Sequence, residues 1–203
     1  MKKVLILLNL IFFSTLGLKA QVKTVYYLGE KVMLDTTLAS SLATSYAVYG
    51  KLSNDSLYVF KRYDILNNLM ITGSFKDEAL SIPHGKFTYY SDVETFNDTH
   101  NSVFPYTDKN IFISEEGQYE NGLSTGRWSS YYPDGKILGT VNFQNGLKQG
   151  EFVAYDEKGR VQTFGIFKDD KKEGEWLFKR GKKKIFYVND IEQKKVSGKI
   201  KTN

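Results

Sequence analysis

The sequence predicts an all-β protein: an elongated antiparallel β-meander of hairpin repeats behind a β-rich N-terminal head. Three observations carry this. Segments of the chain match one another at an offset of 24 residues. Each copy holds two short runs rich in Tyr, Phe, Trp, Val and Thr, the residue types that suit a pleated surface. Between the runs stand Asn-Gly, Asp-Asp, Asp-Gly or Lys-Gly pairs, and Asn-Gly or Asp-Gly between such runs is the strongest short-range hairpin signal.

The N-terminus comes first in chain order. Lys2 and Lys3 precede a nearly continuous apolar run over residues 4–18, and Ala20 supplies a small residue before Gln21. Residues 1–20 are therefore expected to be a cleaved signal peptide, with the protein exported to the periplasm, secreted or displayed at the cell surface. The run falls short of the roughly 20 apolar residues of a spanning helix. The chain has no cysteine, so disulfides and lipid-modified cysteine are both excluded.

Residues 21–66 lack the repeat but contain "KTVYYLGEKV", "SYAVYGKL" and "DSLYVFKRY", which read as strands of a head that caps the sheet. "TLASSLATS" (37–45) is expected to be a loop or one helical turn.

The repeats occupy residues 67–190. "GQYENGLSTGRWSSYYPDGK" (117–136) aligns with "VNFQNGLKQGEFVAYDEKGR" (141–160), setting Tyr119 on Phe143, Asn121-Gly122 on Asn145-Gly146, Gly126 on Gly150 and Trp128 on Phe152. Another 24 residues reach "GIFKDDKKEGEWLFKRGK", with Gly165, Phe167, Gly174 and Trp176 in the matching places. An earlier copy, "GSFKDEALSIPHGKFTYY", keeps Gly73, Phe75, Gly85 and Phe87 with three extra loop residues, and "IFYVND" (185–190) is a last half-copy. Trp128, Phe152 and Trp176 should form one cross-sheet row, and Tyr119, Phe143, Phe167 and Tyr187 another. Gly117, at the head of its copy, belongs to the same repeat pattern. Gly122 and Gly146 are expected to supply positive φ to the turns. Gly126, Gly150 and Gly174 are expected to let a neighbouring ring lie over bare backbone.

Residues 91–112 interrupt the series, and their Pro105 and Asn/Asp content suggest an inserted surface loop. Residues 191–203 form a basic tail. Residues 168–203 carry twelve Lys or Arg against six Asp or Glu, on an otherwise slightly acidic body. Lys179, Arg180, Lys182, Lys183 and Lys184 form a candidate basic patch that could meet anionic lipid or polymer, or simply keep an open sheet edge soluble.

Catalytic chemistry finds little footing. Only His84 and His100 are present, and no phosphate-binding loop occurs. "DVETFNDTH" (92–100) gathers Asp92, Glu94, Asp98 and His100, but at spacings that fit neither a zinc nor a calcium motif. The expectation is a non-enzymatic protein with no catalytic or metal residues, no cofactor, no nucleic-acid partner and no identified small-molecule substrate. Tyr131 and Tyr155 alternate with Trp128 and Phe152, which puts them on the opposite face as candidate binding residues.

With the repeat in view, the chain resembles the MORN-repeat variant family, in particular exported members of the Bacteroidetes type, some of which carry an antitoxin-like label. The resemblance rests on Gly117, Tyr119, Asn121, Gly122, Gly126, Trp128, Tyr131, Tyr132 and Gly135 and their copies, over roughly residues 70–190. It implies a protein-interaction, scaffolding or lipid-headgroup module whose repeat residues build the sheet. The expected partner is another protein or an envelope component, with anionic lipid as the alternative.

Overall fold

Every dipeptide between paired runs becomes a tight reversal. Asn121-Gly122 and Asn145-Gly146 both have φ positive at each residue (51° and 88°; 51° and 83°), as a two-residue hairpin turn requires. Asp169-Asp170 and Asn189-Asp190 adopt the same conformation without glycine. The Asp side chains repay that backbone cost. The Asp170 carboxylate accepts from the Lys148 N–H at 2.7 Å, and that of Asp190 from the Lys172 N–H at 2.8 Å, tying each turn to the hairpin before it.

The computed structural model describes residues 21–33, 41–51, 54–106 and 110–193. The signal-peptide reading, residues 37–40 and the tail beyond residue 193 lie outside them. The strands are β1 (Gln21–Leu28), β2 (Lys31–Met33), β3 (Ser45–Lys51), β4 (Tyr58–Asp64), β5 (Leu69–Phe75), β6 (Gly85–Asp92), β7 (Ile111–Glu120), β8 (Leu123–Tyr131), β9 (Ile137–Gln144), β10 (Leu147–Tyr155), β11 (Val161–Lys168), β12 (Lys171–Phe178), β13 (Lys183–Val188) and β14 (Ile191–Gln193), with helix α1 (Val93–His100) between β6 and β7. All fourteen strands join one open antiparallel sheet. From β3 to β14 it is a plain meander. At the N-terminal end β1 pairs with β3, and β2 folds back outside β1 as the edge.

A single layer must bury its apolar side chains against itself, and the repeats do so through a row of rings crossing the strands. Cross-strand neighbours run Phe60 to Gly73, Phe87 to Gly117, Trp128 to Val141, Val141 to Phe152, Phe152 to Gly165 and Trp176 to Ile185. Where the row meets a glycine, the next ring lies directly on the backbone. A Cβ built on Gly117 would stand 2.1 Å from the Trp128 indole, one on Gly165 2.1 Å from Trp176, and one on Gly73 2.4 Å from Phe87. Both indole N–H groups then donate to the carbonyl just after the glycine: Trp128 to Gln118 at 3.3 Å and Trp176 to Ile166 at 3.2 Å. Trp176 is 2% exposed. Phe152 meets Val141 instead of a glycine and stays half-buried.

This corrects the expected role of Gly126, Gly150 and Gly174. No atom lies within 4 Å of a Cβ built on any of them, so they do not make room for a ring. All three have positive φ (64°, 86° and 72°) and sit in β-bulges. Between Gln118↔Thr125 and Glu116↔Ser129, β7 advances two residues while β8 advances four. The same shift recurs in β9–β10 and β11–β12. Each bulge glycine stands opposite the first ring of the next copy: Gly126 to Phe143, Gly150 to Phe167 and Gly174 to Tyr187. Those rings meet the main row edge-on, Phe143 on Trp128 at 5.9 Å, Phe167 on Phe152 at 5.7 Å and Tyr187 on Trp176 at 6.3 Å. Such contacts add about 0.5–1.5 kcal/mol each beyond burial.

The two glycine classes should respond differently to a methyl group. Gly165→Ala drives a Cβ into the Trp176 ring and should cost about 2–3 kcal/mol, the upper range of core overpacking. Gly150→Ala meets open space and should lose only the ~1 kcal/mol of a left-handed alanine. Urea unfolding of the two variants measures the difference, and equal losses would show that ring contact on Gly165 is unimportant.

Candidate functional site

The insertion is not a surface loop. Asp92 caps α1, its Oδ1 accepting from the Thr95 N–H at 2.7 Å and its Oδ2 from the Thr95 hydroxyl at 2.7 Å. Asn101 closes the helix in the left-handed conformation (φ 50°, ψ 50°), its N–H donating to the Asn97 carbonyl. Asn97 pins the following segment, accepting from the Phe104 N–H at 2.8 Å and donating to its carbonyl at 3.0 Å. Val93 and Phe96 are buried. The Phe96 ring packs on Phe104, Phe112 and Tyr132 at 5.5–6.0 Å and stacks on His100 at 4.0 Å. The loop expectation failed because the partners that fix this short helix lie as much as 36 residues further along the chain.

Asp92, His84 and His100, three of the titratable residues singled out from the sequence, have structural partners. Burial pushes the Asp92 carboxyl up, but its bonds from Thr95 outweigh that and hold it below the usual carboxylate range. His100 Nδ1 lies 3.1 Å from the Phe96 carbonyl. His84 accepts from the Asn121 N–H at 3.3 Å and so links the first repeat turn to the second. Among the described residues, no three His, Asp or Glu side chains come together closely enough to hold a metal ion.

Tyr131 does lie on the face opposite Trp128. Its hydroxyl donates to Glu116 at 2.9 Å, and Glu116 pairs with Lys86 at 2.7 Å. The Lys86 bond holds the Glu116 carboxyl below its ordinary range. Tyr131 and Tyr155 are both half-buried. Lys179, Arg180, Lys182, Lys183 and Lys184 are all exposed in and beside the β12–β13 turn, with Lys184 3.1 Å from Glu175. Lys172, outside that patch, lies 5.0 Å from the Tyr187 ring centroid and 5.2 Å from that of Trp176, where its stem covers the end of the ring row.

Two features of the head escaped sequence reasoning. Arg62 is buried, with Nε donating to Ser45 Oγ at 3.0 Å, Nη1 to Glu30 at 2.7 Å and Nη2 to the Gly29 carbonyl at 2.6 Å. Its guanidinium lies 4.2 Å from the Tyr27 ring centroid. One planar fork thus fastens the β1–β2 turn to β3 and β4, a geometry that a lysine could not supply. The alternation Phe60-Lys61-Arg62 was the available signal, since it places Arg62 on the core side. On the other side, Tyr26, Tyr46 and Tyr63 form a row with centroids 6.5 and 5.4 Å apart. Beside it lies an apolar groove of about 340 Å³, walled by Val22, Val48, Val59 and Tyr63. Val22 is 64% exposed and Val59 53%.

If Asp92 serves the helix, Asp92→Ala should cost about 1 kcal/mol through the lost cap, while Asp98→Ala should change stability by under about 0.5 kcal/mol. The folded carboxyl is depressed, so its contribution is complete above the ordinary Asp value of about 4 and is lost as pH falls through the folded value. Thermal unfolding of the variants at neutral pH and at about pH 3 checks both statements.

No family model and no curated protein matches the chain. Among solved structures it is similar to TarM. One is a mutant S. aureus TarM in complex with Fondaparinux, alpha-GlcNAc-glycerol and UDP, at 12% identity over 63% of this chain and 19% of that one, with a TM-score of 0.25. The other is TarM at 12% identity over 71% of this chain and 21% of that one, with a TM-score of 0.26. The chain spans about a fifth of the length of those chains, and the likeness is too slight to bear on function.

Proposed function

We propose that the chain is an exported, non-enzymatic repeat protein of the MORN-variant kind that acts as a protein-interaction or scaffolding module. The observation that carries this reading is the outer face of the head. Isolated apolar residues on a surface need no explanation, but a contiguous apolar patch points to an interaction site. Here the Tyr26–Tyr46–Tyr63 row and the Val22–Val48–Val59 groove share one face across three adjacent strands, with Thr24 and Lys61 flanking Val48 and with Lys51, Asp55 and Lys61 also lining the groove. Tyrosine suits such a surface because it gives large contact area at low side-chain entropy cost. The structural engagement of Asp92, His84 and His100 supports a role in which these groups build the fold.

A second reading assigns binding of anionic lipid or polymer to the β12–β13 turn, and the exposure of all five basic residues there favours it. A photo-crosslinker placed at residue 59 separates the two. The first reading predicts a discrete crosslinked protein from the native envelope, lost when Val22 or Val48 is changed to Glu. No crosslinked protein at residue 59, combined with salt-sensitive binding to anionic vesicles that is lost on changing Lys179, Lys182 and Lys183 to Glu, would replace it with the second.

A further inference from the structure

A cleft of about 270 Å³ lies between α1 and the strand ends of β6–β9. It joins two features that the sequence keeps 31 residues apart, His100 and Tyr131. Its rim is built of hydroxyls, and no carboxylate, lysine or arginine lines it.

Each rim hydroxyl has one proton, and in five of the six, all but Ser114, that proton is already committed inside the protein. Thr95 donates to Asp92 Oδ2 at 2.7 Å and Thr99 to the Thr95 carbonyl at 2.7 Å. Ser91 donates to the Asp92 carbonyl at 3.4 Å, Ser130 to the Gly139 carbonyl at 3.4 Å and Tyr131 to Glu116 at 2.9 Å. What each of these five hydroxyls keeps is acceptor capacity. His100 follows the same rule. The Phe96 carbonyl beside its Nδ1 can only accept, so Nδ1 carries a proton, and in the neutral ring Nε2 is the acceptor. A ligand for this rim must bring several donors. The walls between the hydroxyls are apolar, supplied by Phe96 and Leu138.

We infer that this cleft binds one residue of a neutral saccharide. Sugar hydroxyls supply the donors that the rim lacks, and the C–H face of the ring suits Phe96 and Leu138. An anionic ligand would meet lone pairs with no cation to balance it, and a cationic one would find no carboxylate. The volume is just below the ~300 Å³ at which small-molecule pockets begin, which matches a single ring. The site is separate from the head face, and neither depends on the other.

Isotope-labelled full-length protein titrated with maltotriose, cellotriose, tri-N-acetylchitotriose and, for contrast, trigalacturonate tests this by amide chemical shifts. The expected result is a saturable shift of α1, Ser130, Tyr131 and Leu138 amides with at least one neutral trisaccharide and none with the acidic one. Thr99→Val and His100→Phe keep the helix and the stack on Phe96. Each should weaken binding roughly five- to tenfold, the loss of one hydrogen bond. Absence of shifts with every neutral sugar, shifts confined to other strands, or undiminished affinity in both variants would overturn the proposal.

Discussion

Aromatic rings lying on bare glycine backbone are the contact on which the rest of this sheet depends. A one-layer sheet has no second layer to bury its side chains, so each strand must provide a surface flat enough for the ring of the next. Gly73, Gly117 and Gly165 provide it for Phe87, Trp128 and Trp176. The bulge that follows advances the outer strand by two residues in each later copy and brings the first ring of the next copy to meet the row edge-on. Turn, bulge and ring are thus parts of one unit. Asp170 and Asp190 then bind each turn to its predecessor.

Much of this was legible because it is local. An Asn-Gly pair needs only its own backbone to reverse the chain, and the 24-residue offset places rings in register without knowledge of the fold. The close contacts were missed because they join different strands. Sequence reasoning assigned the missing Cβ to the glycine beside the ring, at 126, 150 and 174, whereas the ring rests on the glycine eleven residues earlier in the two later copies. The motif Gly-x-aromatic with Trp eleven residues on, at 117 and 165, was the signal. The copy between them is the exception, because Val141 replaces glycine under Phe152.

The same distinction governs the functional surfaces. Tyr131 was legible as a residue of the second face, since alternation alone puts it there. Its place beside His100 was not, because α1 had to be recognised first. An eight-residue helix carries little periodicity of its own, and its partners Phe112, in β7, and Tyr132, just after β8, come later in the chain. Arg62 was hidden for a related reason. A charged residue in a strand reads as solvent-facing until its alternation with Phe60 is combined with the Gly29–Glu30 turn that it holds.

Native-state hydrogen exchange tests the central role of the ring-on-glycine row most directly. The amides of β7–β8 around Gly117 and Trp128, and of β11–β12 around Gly165 and Trp176, should exchange slowest and share one opening free energy. β2 and β14 should exchange fastest among the strands. Slowest exchange in the head, or protection no greater around the glycine-backed tryptophans than around Phe152 and Val141, would contradict the account.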